Sequence, residues 1–536
     1  MSALIGGAVI FSIPFVTQNH HILKHFSFAI EPGNSIRPIR SSIVYLVSIC
    51  MFYITTKVNN KTYRNLLMGL VIGISLLWSN DFALITGLMY SIFCAAFFFI
   101  DDRKTFFKNC FTTVLISVAT WSCLITLATG GHPIPLLKYN FQDVAQDQWW
   151  YFPPYGMNGR ICNIIQLYRL IISHAGEYNN VIPCLLMIFY LLKSFFLKDV
   201  EDMLIAFIGI SLFGGGCIAT VGGHISQYFD ALHFWSFIVI ALLLIKFIYI
   251  TTFKIIPNAN WKKNIDYALF CTTFACVLFG FFGIITKYNS DISFAKTDPK
   301  RFYIGEYKGY LGTEWTDYIT FIRQHKNNAV VEEYWGLWSS LTRQFSSWPV
   351  DSVIHALGNT RNIVQKSLGK SDFVITTKSS VSAEWQHWSL TQNFWFYKKI
   401  LLNYHPIMFS EKTVVWKKNP QEIKETPASC SIVDNKNIKI ENEDSGVFYV
   451  KLNYHSHNGG RYILFFRNNI SYAADAHGHA SLPNKESVVE FPVFLKKGSN
   501  TIFDSTIMGN NYHDFYIKSC EAYKMPDIGN SVFNIE

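Results

Sequence analysis

The chain has 536 residues, half of them hydrophobic, only 15% charged, and 46 of them phenylalanine. A wholly water-soluble chain of this length splits into several domains with charged surfaces, and here the apolar residues crowd before about residue 287, which argues against that class. The formal charge of +9 lies in basic residues scattered in short loops between apolar runs, so it reads as topogenic charge, and no nucleic-acid partner is expected.

Taken in chain order, the apolar runs approach the roughly 17–25 residues that a spanning helix needs. They lie near 2–18, 41–57, 65–79, 82–100, 110–129, 181–197, 203–221, 229–250 and 265–286. The expected fold class is therefore an α-helical polytopic membrane domain of about nine spans over 1–288. The third and fourth runs are joined by a hairpin at Trp78-Ser79-Asn80-Asp81. The first run lacks the basic start and small-residue cleavage site of a removable signal peptide. Basic residues fill one alternating set of short connections: Lys57, Lys61 and Arg64; Arg103, Lys104 and Lys108; Lys193 and Lys198; Lys254, Lys262 and Lys263. The positive-inside rule places that set and the N-terminus in the cytoplasm, and everything after Ile285 outside it. The expected location is a multi-pass protein of the cell inner membrane, in contact with the lipid bilayer, with a periplasmic C-terminal region.

Beyond the last run, helical and strand-like pieces alternate over 289–420, as in an α/β domain. Thr313–His325 has helical periodicity, Asn328–Tyr334 and Asp372–Thr377 are strand-like, Tyr397–Asn403 is helical, and Ile407–Lys417 suggests a strand pair. Over 421–536 the pattern becomes alternating strands at Gly446–Tyr454, Arg461–Phe466, Ser487–Phe494 and Phe515–Ala522, separated by Gly- and Asn-rich turns, as in a small β-sandwich. Cys430 and Cys520 are the cysteines of this outer region. An isolated pair in an oxidising compartment forms a disulfide or stays as two core thiols, and both readings stand at this point.

Polar groups capable of chemistry collect in the outer loops. The first loop holds His20, His21, Glu31, Arg37 and Arg40, and the tight hairpin adds Asp81. The third loop holds Trp149, Trp150 and Arg160, with Ile161–Ala175 as an amphipathic interfacial helix, and the fourth holds His224, Asp230 and His233. Guanidinium groups bind phosphate bidentately, aromatic faces suit a sugar, and a carboxylate serves as general base toward an acceptor hydroxyl. That assigns Asp81, Glu31 and Asp230 to catalysis. Arg37, Arg40, Arg160, His224, His233, His20, His21, Trp149 and Trp150 are assigned to substrate binding. Loop arginines and tryptophans also serve as plain interfacial anchors. No cysteine spacing of metal type occurs, no cofactor is expected, and a divalent metal has no support in the sequence. Glu332-Glu333-Tyr334-Trp335 reads as a strand end that is either solvated or turned to substrate. His455, His457, His477, His479, His513 and Asp514 read as surface turns of the β-module, with metal or glycan binding as the sharper alternative.

The stretch Leu66-Leu67-Met68-Gly69-Leu70-Val71-Ile72-Gly73-Ile74-Ser75-Leu76-Leu77-Trp78-Ser79-Asn80-Asp81-Phe82 resembles the small-residue helix and following turn of bacterial GT-C-type glycosyltransferases. Asn34-Ser35-Ile36-Arg37-Pro38-Ile39-Arg40 is similar to the loop–helix junction before it. Phe373–Thr377, Tyr404-His405-Pro406-Ile407 and Val414-Val415-Trp416 resemble the soluble ends of such enzymes. The likeness is one of layout over roughly 1–417, and Gly69 and Gly73 also suit plain helix packing. It implies transfer of a sugar from a polyprenyl-phosphate-linked donor to a surface glycan or lipid-linked acceptor at the outer membrane face. The family's acidic first outer loop has no clear counterpart here, as if the chain began two helices late. The alternative class is a non-catalytic scaffold or transport component of envelope-glycan assembly.

Overall fold

The computed structural model describes residues 37–78, 86–87, 90–91, 103–143, 172, 178–197, 203–210, 213, 259–333, 336–344, 352–377, 393–435, 437–458, 470–475, 478–482, 487–495, 497, 501–502, 504–506 and 512–526. Two compact units emerge, Met1–Leu136 with Ile164–Asp291, and Leu137–Asn163 with Ile292–Glu536.

The first unit is helical: α1 (Arg37–Lys57), α2 (Lys61–Trp78), α3 (Arg103–Ala128), α4 (Pro133–Lys138, reaching the second unit), α5 (Tyr178–Leu197) and α6 (Ala259–Thr297, likewise). Asn60 starts α2 as an N-cap, its side-chain oxygen accepting from the backbone N–H groups of Thr62 and Tyr63 at 2.9 and 3.2 Å. α2 buries Asn65, Met68, Gly69, Ile72, Gly73 and Ser75. Its partner α3 buries Thr113 and Ser117, four residues apart on one face. The two helices approach closely because the glycines lack side chains. A Cβ added at Gly69 would stand 2.6 Å from the Ile116 side chain, and one at Gly73 would stand 2.7 Å from the Ser117 carbonyl oxygen. Above them Asn65 Nδ2 donates to Asn109 Oδ1 at 2.9 Å, a polar link across the pair. Gly69 and Gly73 are thus packing residues. Gly73→Val is expected to separate the helices, since the obstacle is backbone. Disulfide cross-linking of an Asn65→Cys/Asn109→Cys pair should proceed in the parent and fail with Gly73→Val added; equal yields would refute the close packing.

The expectation of about nine spans is corrected here. Among the described residues, one helix, Thr105–Ala128 within α3, is long and apolar enough to cross a membrane, while Leu46–Lys57 and Cys184–Lys193 are shorter apolar helices. One of the expected runs is short for a crossing. A run such as 65–79 rises only about 22 Å at 1.5 Å per residue, against a hydrocarbon core of about 30 Å. The runs at 2–18 and 229–250 lie outside the described residues. Sheet, not helix, dominates the second unit.

That unit begins with the hairpin β1 (Arg301–Ile304) and β2 (Gly309–Gly312), then a 3-10 turn and α7 (Thr316–His325). A four-stranded sheet follows in the order β3-β4-β6-β5: β3 (Val330–Glu332), β4 (Phe373–Thr377), β5 (Tyr404–Phe409) and β6 (Thr413–Lys418). β3 and β4 run parallel, joined through α8 (Leu337–Thr342) and α9 (Thr360–Leu368); β4–β6 and β5–β6 are antiparallel. Alternation divides the sheet between two cores. Phe373, Ile375 and Val415 pack with Tyr318, Ile319, Phe321 and Ile322 of α7. Val374, Val414 and Trp416 pack with Val364 and Leu368 of α9 and with α10 (Phe394–Asn403). With both faces covered, β4 reads as the continuous apolar run Phe-Val-Ile.

The chain after residue 420 forms β7 (Thr426–Ile432), β8 (Ile438–Glu441), β9 (Gly446–Asn458), β10 (Ile470–Asp475), β11 (Gly478–Leu482), β12 (Ser487–Leu495), β13 (Thr501–Ile502), β14 (Asp504–Thr506) and β15 (Tyr512–Lys524), in a six-stranded sheet, β12-β9-β15-β7-β8-β13, and a three-stranded one, β11-β10-β14. The key strand is β9 (Gly446–Asn458). Phe448, Val450, Leu452 and Tyr454 point into the module's own core with Phe491, Val493 and Ile517. Val447 and Tyr449 point the other way and join Phe394, Phe396, Tyr397 and Ile400 of α10. The hydrophobic core thus runs across the 420/421 boundary expected from sequence. Buried along nearly its whole length, α10 lies between two sheets. At the margin Lys398 Nζ pairs with Glu425 at 3.3 Å and Glu490 at 3.2 Å, and sits 4.1 Å from the Tyr449 ring centre.

Cys430 of β7 (Thr426–Ile432) and Cys520 of β15 (Tyr512–Lys524) are disulfide-bonded, with Cα atoms 5.9 Å apart and 90 residues between them in sequence. Replacing both by serine is expected to cost about 4 kcal/mol by loop-closure entropy. Non-reducing peptide mapping should recover the linked pair, and a melting temperature unmoved by Cys430→Ser/Cys520→Ser would contradict a stabilising role.

Candidate functional site

The polar centre that the second unit builds most completely is the carboxylate pair at the end of β3. Glu332 Oε1 accepts from the Tyr318 hydroxyl at 2.6 Å and the Trp338 backbone N–H at 2.7 Å, and Oε2 accepts from the Ser339 N–H at 3.4 Å. It therefore caps α8, whose entry needs Gly336 at φ +56°, a left-handed turn that glycine adopts without strain. Glu333 points to the other side. Its Oε2 accepts from the Thr377 N–H at 2.9 Å and the Thr377 hydroxyl at 3.0 Å, while Oε1 accepts from the Tyr397 hydroxyl. The Glu333 backbone is also tied in, donating to the Ile375 carbonyl at 2.8 Å and accepting from the Val353 N–H at 3.0 Å.

Burial raises both carboxyl pKa values, with the hydrogen bonds pulling the other way. Burial first, and the adjacent carboxylates second, push the Tyr318 and Tyr397 hydroxyls well upward. Glu333 is thus buried and Glu332 half-buried, and each is held by hydrogen bonds within the unit. They staple β3 to α8, β4 and α10, and Tyr397 and Tyr318 complete them from helices that sequence reasoning placed but did not connect.

A second constellation involves the loop after α3. The Tyr139 hydroxyl donates to the His355 carbonyl at 2.7 Å, across 216 residues of sequence. His355 belongs to a 3-10 turn, Val353–His355, in which buried Ser352 meets its Nδ1 at 3.1 Å. Gly358 follows at φ +54°, and a Cβ there would run into the Asp143 carboxyl group. No spacing rule links Tyr139 to His355, so this contact could not be read from the sequence.

The residues expected to act on substrate are mostly beyond what the structure describes. Arg37 and Arg40 lie in the first turn of α1, three residues apart. Asp81, Glu31, Asp230, Arg160, His224, His233, His20, His21, Trp149 and Trp150 lie outside the described residues, as does Ile161–Ala175 apart from Ile172. Among the described side chains no group of three His, Cys, Asp or Glu is gathered to hold a metal ion. The β-module histidines need a correction of place. His455 and His457 are on β9, His479 is on β11 (Gly478–Leu482), and His513 and Asp514 are on β15, so these residues occupy strands, not turns; His477 lies outside the described residues.

No protein-family model matches this sequence, and no curated protein is significantly similar to it.

Proposed function

We propose that this chain is a membrane-bound glycosyltransferase. It takes a sugar from a polyprenyl-phosphate-type donor and passes it to a surface glycan or lipid-linked acceptor at the outer face of the cytoplasmic membrane. One observation supports the setting above others. The apolar helix α3 starts at Arg103, Lys104 and Lys108, and the chain just past its far end, at Tyr139, is hydrogen-bonded within the unit that carries the Cys430–Cys520 disulfide. Basic residues favour the cytoplasmic end of a membrane helix, and disulfides persist outside the cytoplasm. Along α3 the side chains of Phe107, Phe111, Leu115 and Leu127 are 59–71% exposed, as they would be toward lipid rather than water.

The chemistry rests on the resemblance and on residue types. Arg37 and Arg40 stand in the first turn of α1, and arginine is the residue type suited to phosphate. A carboxylate among Asp81, Glu31 and Asp230 would accept the acceptor's hydroxyl proton. The freed oxygen attacks the anomeric carbon, the bond from that carbon to the phosphate oxygen breaks, and polyprenyl phosphate leaves with the electron pair. Arg160, His224, His233, His20 and His21 would line the substrate, and Trp149 and Trp150 would offer a sugar stacking faces.

The test is transfer itself. Membranes containing the chain, given a radiolabelled polyprenyl-phosphate sugar and a membrane glycan extract, should move label into the extract, and those without the chain should not. Equal label in both would favour the scaffold reading. Undiminished transfer by an Asp81→Asn/Glu31→Gln/Asp230→Asn variant would remove the three carboxylates as candidates for the base. A reporter fused after Glu536 should be active only in a periplasmic assay.

A further inference from the structure

The hairpin of β1 and β2 has two unlike faces. Phe302 and Leu311, opposite each other in the register, pack with fully buried Ile304 into the core that α7 covers. Strand alternation turns the next pair, Tyr303 and Tyr310, to the outer face, where their rings form a T-shaped pair with centres 5.2 Å apart. Tyr303 is 54% exposed and Tyr310 half-buried. The following outward pair is Arg301 and Gly312. Arg301 is engaged by Asp298 at 3.3 Å and by the Phe294 ring. Gly312 has an ordinary extended backbone, so what its position requires is space: a Cβ there would run into the Glu314 carboxyl group. That carboxyl thus occupies the outer face in place of a side chain at 312, roughly 6.6 Å along the strand from Tyr310. It makes no hydrogen bond or ion pair among the described residues. Two hydrogen bonds of 3.2 Å from Arg323 of α7 to Glu306 in the turn hold the hairpin in place.

We propose that Tyr303, Tyr310 and Glu314 form a binding site for a glycan, with one sugar ring against the tyrosines and its hydroxyls on the carboxylate. The C–H groups on one face of a pyranose are drawn to the negative face of an aromatic ring. A carboxylate accepts hydrogen bonds through two oxygens, and neighbouring sugar hydroxyls offer two donors. The carboxylate beside the rings also disfavours the other occupants of an exposed aromatic patch. Anionic lipid headgroups are repelled by it, and an apolar protein face would bury it without a partner. The hairpin is already packed and tied, so little ordering is needed when a sugar arrives. The inference does not depend on glycosyl transfer, and its test does not measure it.

The experiment presents the full chain in detergent to an array of neutral and amino-sugar oligosaccharides, and measures affinity for those it binds by calorimetry. Saturable binding of at least one oligosaccharide is expected, weakened about tenfold by Tyr303→Ala and by Tyr310→Ala and unchanged by Tyr288→Ala, which removes an exposed tyrosine of α6. Gly312→Ala should weaken binding too, by pushing the Glu314 carboxyl aside while all three binding side chains remain in the chain. The bound oligosaccharide should also shield Tyr303 and Tyr310 from nitration by tetranitromethane, read by mass spectrometry on the unsubstituted chain. That measurement decides the matter if a variant does not fold. No oligosaccharide bound, equal affinity in parent, Tyr303→Ala and Gly312→Ala, unshielded tyrosines at saturation, or binding to anionic phospholipid vesicles alone would each overturn the assignment.

Discussion

Replacing Glu333 by alanine is expected to destabilise the second unit by about 2–4 kcal/mol, through the loss of the hydrogen bonds that Thr377 and Tyr397 donate to it. The Thr377 N–H and the Tyr397 hydroxyl both donate to this carboxylate, Tyr397 from the packed interior and Thr377 from a half-buried position. The lost volume adds a cavity beside α10. Glutamine behaves differently. Its carbonyl oxygen keeps the Thr377 N–H, and its amide donates to the Tyr397 oxygen, so Glu333→Gln should lie within about 1 kcal/mol of the parent at neutral pH. The pH dependence separates this from simple packing. Burial raises the Glu333 carboxyl above its ordinary value of 4.5, so the folded state holds the proton more tightly than the unfolded chain does. The associated stability is fully present below 4.5 and is lost as pH rises through the folded value. Glu332 is shifted in the same direction and contributes the same sign. Denaturant melts at pH 4.5 and pH 8 should therefore show a smaller loss on raising pH in Glu333→Gln than in the parent. The same slope in both, or a loss below about 1 kcal/mol in Glu333→Ala, would show that the carboxylate does not hold these strands together.

Arg37→Ala is expected to slow transfer from a polyprenyl-phosphate sugar by roughly thirty- to thousandfold, equivalent to about 2–4 kcal/mol of transition-state stabilisation. Negative charge grows on the phosphate oxygen as the bond to the sugar breaks, and a bidentate guanidinium stabilises that charge more in the transition state than in the bound donor. Arg40, three residues on, lies on a neighbouring position of the same helix turn, and Arg40→Ala should show a loss in the same range. Arg37→Lys keeps the charge but not the fork, so it should recover only part of the rate. The measurement is initial transfer rate at saturating donor, with membrane abundance of each variant as the control. Full rate from the Arg37→Ala/Arg40→Ala chain at normal abundance would reduce both residues to interfacial anchors and move phosphate binding to residues such as Arg160.

How much of this was legible beforehand differs by element. α7 could be read because Tyr318, Ile319, Phe321 and Ile322 recur on one helical face. β9, β12 and β15 could be read from their alternation, although β9 and β15 extend further than the alternation suggested. The four-residue step from Gly69 to Gly73 announced a close contact, and the structure supplies its partners in α3, Ile116 and Ser117. Among the described residues fewer helices are long and apolar enough to cross a membrane than hydropathy suggested. The burial of Glu333 could not be read beforehand, because a pair of acids at a strand end carries no local mark of it. Their environment comes from Tyr318, Trp338, Thr377 and Tyr397, drawn from four separate elements.

The sequence by itself determined the periodic elements of the second unit and the two cysteines of its β-rich end, since period and composition depend only on near neighbours along the chain. Tertiary structure alone decided that Cys430 meets Cys520, that α10 is shared by two sheets, that Tyr139 reaches His355, and that Asp514 stands opposite His457. Those facts require the chain to return on itself over tens to hundreds of residues. No local preference encodes such a return; it is set by which apolar faces the completed fold can bury together.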